Sequence, residues 1–259
     1  ENSLIERAAI SPDGQWLAFD SNRAGNVDIW IMKRDGTDMR QVTTDPAHDW
    51  GPTWSPDGQR IAFHSLRSGN RDIWVKPVAG GAAKQLTTDP GKDWLASWSP
   101  NGEEIAFTSL RNGGADIFLV SESSRPRQVT FQNTKDIVAG CWSADGERIA
   151  FASLHTGKAE LYVVSLKSGE TKQLTESNFQ TLNPFAWSRD GKTIYIQAVK
   201  ETTRDIYAVS TADGAVRKLT DFSNDPSKVL AWATSDGERF YLVFNEHKSD
   251  IWIAELEEE

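Results

Sequence analysis

Residues Trp54-Ser55-Pro56-Asp57-Gly58-Gln59-Arg60-Ile61-Ala62-Phe63-His64-Ser65-Leu66-Arg67-Ser68-Gly69-Asn70-Arg71-Asp72-Ile73-Trp74, followed by Gln85-Leu86-Thr87, hold the unit from which the rest of the chain is built. The tetrapeptide Ser55-Pro56-Asp57-Gly58 recurs as Ser11-Pro12-Asp13-Gly14 and Ser99-Pro100-Asn101-Gly102. Looser copies are Ser143-Ala144-Asp145-Gly146, Ser188-Arg189-Asp190-Gly191 and Thr234-Ser235-Asp236-Gly237. Their glycines lie 44, 44, 44, 45 and 46 residues apart. Two further series keep step. One is Asp28-Ile29-Trp30, Asp72-Ile73-Trp74, Asp116-Ile117-Phe118, Glu160-Leu161-Tyr162, Asp205-Ile206-Tyr207 and Asp250-Ile251-Trp252. The other is Val42-Thr43, Leu86-Thr87, Val129-Thr130, Leu174-Thr175 and Leu219-Thr220. Three series with one period define a repeat protein.

Each unit reads as four short strands. The first ends at the Trp before the tetrapeptide (Trp54, Trp98, Trp142, Trp187), and the second follows it, as in Arg60-Ile61-Ala62-Phe63. Asp72-Ile73-Trp74-Val75 and Lys84-Gln85-Leu86-Thr87 supply the third and fourth. The strands are rich in Ile, Val, Phe and Trp and are separated by Gly, Pro, Asn and Asp. Ser-Pro-Asp-Gly suits a tight hairpin, because Pro presets φ at the second turn position and Gly accepts the left-handed position that follows. The Gly is kept in all six copies, as befits the one position with a strict dihedral demand. Four strands per unit, six times over, predict an all-β fold: a six-bladed β-propeller of four-stranded antiparallel blades, with residues 1–259 as one domain. The last unit stops after Asp250-Ile251-Trp252-Ile253 without a fourth strand, so residues 2–5 are expected to complete the last blade.

Composition narrows the function classes. The chain has 259 residues, with 28 Lys+Arg against 37 Asp+Glu and a net charge of −9. That balance excludes general nucleic-acid binding, which needs a basic footprint. With 11 Trp and 11 Phe the chain is not of disordered composition. No apolar run reaches the ~18 residues of a membrane-spanning helix. The single cysteine, Cys141, excludes an internal disulfide framework and a cysteine-rich zinc site.

The Trp54–Trp74 run and its Gln85-Leu86-Thr87 sequel closely resemble the repeat of the TolB-like β-propeller family, one of the WD40-like β-propeller repeats. The resemblance covers nearly the whole chain and is weakest in the sixth copy. It implies a propeller and, by analogy, a periplasmic or extracytoplasmic location. Propellers of this kind also occur fused to peptidase, kinase or transcription-regulator modules. Fold likeness alone carries no activity over to this chain.

In such a ring the tetrapeptide hairpins mark one face, and the loops joining strands two and three, together with the blade-to-blade connectors, mark the other. The second face gathers a recurrent basic position: Arg23, Arg67, Arg111, His155, Lys200 and His247. It also gathers two near-identical connectors, Thr44-Asp45-Pro46-Ala47-His48-Asp49-Trp50 and Thr88-Asp89-Pro90-Gly91-Lys92-Asp93-Trp94. Blade four offers Asp136 there, with no Trp. The candidate ligand-binding set is therefore His48, Asp49, Trp50, Arg67, Asp93, Trp94, Arg111, Asp136 and His155. Cations would meet anionic or hydroxyl groups, and the indoles would offer flat apolar platforms to a peptide, a protein tail or a sugar. The competing reading is that the arginines are scaffold, paired with Asp49, Asp93 or Asp136.

All four histidines (His48, His64, His155, His247) fall on this face, but from separate loops and without short ligand spacing, so no metal site and no cofactor are expected. The repeated Asp that opens strand three reads as a loop-closing side chain. Phe19, Phe63, Phe107 and Phe151 read as packing between blades, and Cys141 as a small core residue. No Gly-x-Ser-x-Gly, His-Glu-x-x-His or phosphate-cradling loop occurs. The expected function is a non-enzymatic binding module that presents its loop-rich face and channel to a protein, peptide or glycan partner. Two alternatives stand beside it: a polysaccharide lyase or hydrolase using His and Arg at the channel mouth, and a sensor or regulatory domain of a larger protein.

Overall fold

The computed structural model describes residues 5–134, 137–223, 229–245 and 249–255. They form sheets in which each strand pairs antiparallel with its sequence neighbour. Five sheets have four strands, and the last repeat unit makes a three-stranded sheet of Val229–Ser235, Arg239–Asn245 and Ser249–Glu255. The expectation of six four-stranded blades is thereby corrected: among the described residues there are five. The sixth sheet contains the first three strands of its unit and no fourth among the described residues. Of the strand expected at residues 2–5, residues 2–4 lie outside the described residues. Ile5 opens the first strand of blade one, opposite Ser21.

The tetrapeptides form the turns their composition demands. Gly58 N–H donates to the Ser55 carbonyl (2.8 Å), and Gly58 sits at φ 68°. Ser55 Oγ accepts the Arg60 N–H across the turn (2.9 Å). The same Ser hydroxyl contact recurs at Trp16, Glu104, Arg148 and Thr193. These five hairpins are thus closed by contacts within six consecutive residues, independently of what packs on them.

Blades join by two devices. The second-strand phenylalanines are fully buried between sheets, as expected: Phe63 packs on Ile29 and Ile31 of blade one, Phe107 on Ile73 and Val75 of blade two, and Phe151 on Ile117 and Leu119 of blade three. Such burial contributes roughly 1.5–3 kcal/mol per side chain. First-strand tryptophans also stitch three of the blades to their predecessors, while the Trp98 indole N–H of blade three is buried without a partner. Indole N–H groups donate from Trp54 to the Ala9 carbonyl (3.1 Å), from Trp142 to that of Ser97 (3.0 Å) and from Trp187 to that of Cys141 (3.0 Å). The ring closes by packing, with Phe19 and Ala8 of blade one against Val243 of the three-stranded sheet.

The fourth strands are shorter than the pattern suggests, for example Lys84–Gln85. Beyond it the Leu86 N–H still reaches the Ile73 carbonyl, and then side chains take over. Thr87 Oγ1 accepts the Ile73 N–H (2.9 Å) and donates to Asp72 (3.1 Å). Equivalent hydroxyl–acid pairs are Thr43–Asp28, Thr130–Asp116, Thr175–Glu160 and Thr220–Asp205. The repeated acid is therefore structural. Burial pushes the Asp28 and Asp72 carboxyls above their ordinary value, and these hydrogen bonds oppose the shift.

Candidate functional site

First strands line the central channel, whose walls include Arg7, Gly51, Leu95, Gly140, Asn183 and Trp232 and which encloses about 120 Å³. Each first strand shows a register irregularity near its middle, as between Trp50 and Thr53 in blade two. Gly51 at φ 62° and Leu95 at φ 60° mark the distortion in blades two and three. The buried Asp20 carboxylate ties neighbouring strands together here, accepting the Arg7 N–H (2.9 Å) and the Gly51 N–H (3.0 Å). Arg7 lies over the Trp232 ring at 4.3 Å, across the junction that closes the ring.

At the connector face the nine candidate residues part ways. Asp49 and Asp93 are wholly buried. Arg67 donates to Asp49 (2.5 Å), and Arg111 donates to Asp93 (2.9 Å). Each guanidinium also donates through Nε to a serine two residues back, Ser65 (3.0 Å) or Ser109 (2.8 Å). It lies over two core rings as well: Phe63 and Trp74 for Arg67, Phe107 and Phe118 for Arg111. These pairs are internal to a blade and desolvated, so their arginines brace the loops. Burial pushes the Asp93 carboxyl up, against the pull of its Ser109 and Arg111 contacts.

Trp50 and Trp94 are half-buried at the entrances of their first strands. Trp50 stacks with His48 (centroids 5.2 Å apart) and with His64 (5.8 Å), and the Arg71 guanidinium lies 5.3 Å from its ring centre. The connectors carrying these indoles are pinned from the preceding blade. Asn26 Nδ2 donates to the carbonyls of Asp45 (2.8 Å) and Ala47 (3.1 Å), and Asn70 Nδ2 to those of Asp89 (2.8 Å) and Gly91 (3.2 Å). His48 is exposed and accepts the Val27 N–H at Nδ1 (3.1 Å). His155 is exposed and carries no carboxylate partner among the described residues, since Ile137 stands where Asp49 and Asp93 stand in earlier blades. Asp136 and His247 lie outside the described residues.

Two residues escape a reading of the sequence by loops alone. His64 is buried in the second strand of blade two, with Nδ1 unpaired and close to Gly51. Burial, together with the Arg7 and Arg71 charges, holds its imidazole well below the usual histidine range, so it is neutral. Arg71 covers Trp50. Counting outward from the Ser-Pro-Asp-Gly hairpin brings His64 near the Trp50 connector, but the irregularity at Gly51 decides that it faces Trp50 itself. Among the described residues, no three His, Cys, Asp or Glu side chains converge as a metal site would require. Cys141 packs against the blade-four and blade-five core, and burial pushes its thiol up, away from the reactive thiolate.

The architecture is that of a β-propeller, and comparison with known proteins places it more closely. The TolB beta propeller domain model matches residues 94–259, and the Tricorn protease N-terminal beta propeller domain model matches residues 27–103. The chain belongs to the TolB β-propeller domain family. A 44-residue stretch is 46% identical to the Tol-Pal system protein TolB of Anaeromyxobacter dehalogenans (strain 2CP-C), covering 17% of this chain and 10% of that protein. The match thus spans about a tenth of that curated relative. The putative TolB structure from Agrobacterium tumefaciens superposes with a TM-score of 0.73 at 17% identity, over 99% of this chain and 91% of that one. TolB from Acinetobacter baumannii gives 0.68 at 22% identity, over 99% of this chain and 64% of the other.

Proposed function

We propose that the ring is a non-enzymatic protein-binding module that takes an extended peptide segment of a partner on its connector face, beside the channel. One observation carries this reading. Trp50 and Trp94 are held half-buried at the entrances of adjacent first strands by connectors fixed from behind by Asn26 and Asn70. Rigid aromatic anchors set in a polar rim are what a peptide-binding patch requires, since a few such residues supply most of an interface's affinity. Trp50, Trp94, His48 and His155 are the contact residues on this reading. Arg67, Arg111, Asp49 and Asp93 shape the loops from beneath. Membership of a TolB propeller family supports a protein partner and an extracytoplasmic setting. A glycan in place of the peptide is the competing ligand, and the test separates the two.

The experiment is selection of phage-displayed dodecapeptides on the immobilised ring, with a glycan array in parallel. Enriched peptides should bind the Trp50→Ala/Trp94→Ala double variant at least tenfold more weakly, while its circular dichroism and melting curve stay close to those of the parent. Peptides that bind both forms equally, or enrichment on the glycan array alone, would refute the reading.

A further inference from the structure

The repeat contains a built anion slot that is filled by a carboxylate in two blades and, among the described residues, not in a third. In blades two and three the slot has four constant parts: an arginine, a serine two residues before it, and two aromatic rings beneath the guanidinium. A fifth part, the aspartate that opens the first strand, supplies the carboxylate (Asp49 for Arg67, Asp93 for Arg111). Blade one reproduces the first four. Arg23 Nε donates to Ser21 Oγ (3.1 Å), and its guanidinium carbon lies 5.0 Å from the Phe19 ring centre and 5.2 Å from that of Trp30. The fifth part is not repeated in the sequence. The residue paired with Ser21 is Ile5, at the register position where Asp49 faces Ser65 and Asp93 faces Ser109. Among the described residues Arg23 has no carboxylate partner. Its other polar contact is from Nη1 to Met39 Sδ, a weak acceptor.

We propose that the Arg23 slot of blade one binds a carboxylate brought by a peptide partner, in the place that Asp49 and Asp93 occupy in blades two and three. The guanidinium is already oriented by Ser21 and the two rings, so little side-chain entropy remains to be lost on binding. The fork of a fixed arginine matches a carboxylate. A peptide can bring that group as its C-terminus or as a Glu or Asp side chain. The slot is defined by the internal repeat and is separate from the tryptophan surface, so either can fail without the other.

The full chain, labelled with 15N, is titrated with acetate and, separately, with its neutral isostere acetamide, following the Arg23 Nε–Hε resonance. Acetate should shift that resonance in a saturable way and acetamide should not. Arg23→Gln removes the reporting resonance, and protection of the neighbouring Trp30 indole signal by acetate should vanish with it. Ile5→Asp should fill the slot from within and weaken acetate binding at least tenfold, whereas Ile5→Asn, similar in shape and uncharged, should keep the response. Three short peptides then identify the source: one with a free C-terminus and no acidic side chain, the same peptide amidated, and an amidated peptide with one internal Glu. Equal responses to acetate and acetamide, no response to either because another part of the chain fills the slot, or an Ile5→Asp protein that binds acetate as the parent does would each overturn the proposal.

Discussion

The two faces of the ring obey different rules. At the hairpin face five units solve the same local problem in the same way, with a Ser hydroxyl, a Gly N–H donated to the Ser carbonyl and a left-handed Gly, whereas the Thr234–Gly237 copy keeps the left-handed Gly and donates its N–H to Ser235 Oγ. At the connector face the units diverge around a shared frame. Arginine is paired in blades two and three, unpaired among the described residues in blade one, and replaced by His155 in blade four, where Phe151 and Tyr162 stack on each other at 5.5 Å. Differences between repeats are informative because the scaffold around them is constant. Where a repeat could vary but does not, the residue serves the fold. Where it varies within a fixed frame, it is available for function.

Three mutational experiments test this contrast. The largest effect is expected at the hairpin end. Trp54→Ala removes a buried indole and its bond to Ala9, and should cost about 3–5 kcal/mol in chemical denaturation. A cost below 1 kcal/mol would mean that the Trp series is not what joins the blades. Next comes a pair at the connector face. Arg111→Met leaves the buried Asp93 carboxylate without its cation and should cost about 3 kcal/mol or more. Arg23→Met strands no partner and should cost clearly less. Equal losses for the two arginines would erase the distinction between filled and open slots.

The smallest effect depends on pH. His64 has a depressed imidazole pKa in the folded state, so below about 6.5 the unfolded chain takes up a proton that the fold refuses. Stability from this group is intact above that pH and falls as the solution is acidified, by up to about 1.4 kcal/mol per pH unit, until the folded imidazole is itself protonated. His64→Phe, which keeps an aromatic ring beside Trp50, should flatten that part of the stability profile. Identical acid slopes for the two proteins would show that His64 is not buried neutral.

Much of this molecule could be read from its one-dimensional pattern. Strand positions, the hairpin glycines, the inter-blade phenylalanines and the loop-closing role of the repeated Asp follow from local sterics and from an apolar alternation repeated at a fixed period, whereas the Thr that each acid holds was read as part of the fourth strand. The connector-face candidates were also recognisable as a set, but their division of labour was not. Asp49 and Asp93 resemble exposed loop acids in the sequence and are in fact fully buried. His64 looks like one of four scattered histidines and is in fact stacked on Trp50.

Periodicity alone determined that this chain is an all-β array of hairpins arranged as a propeller, because turn dihedrals and strand alternation are short-range demands that each repeat meets for itself. Three-dimensional packing set the rest: among the described residues, five four-stranded blades and a three-stranded sheet, which arginines are paired, and which histidine is dry. Those outcomes depend on a one-residue irregularity in each inner strand and on which residue of one strand comes to lie opposite another. A slip of one position there exchanges buried for exposed, and no count along the sequence reveals it.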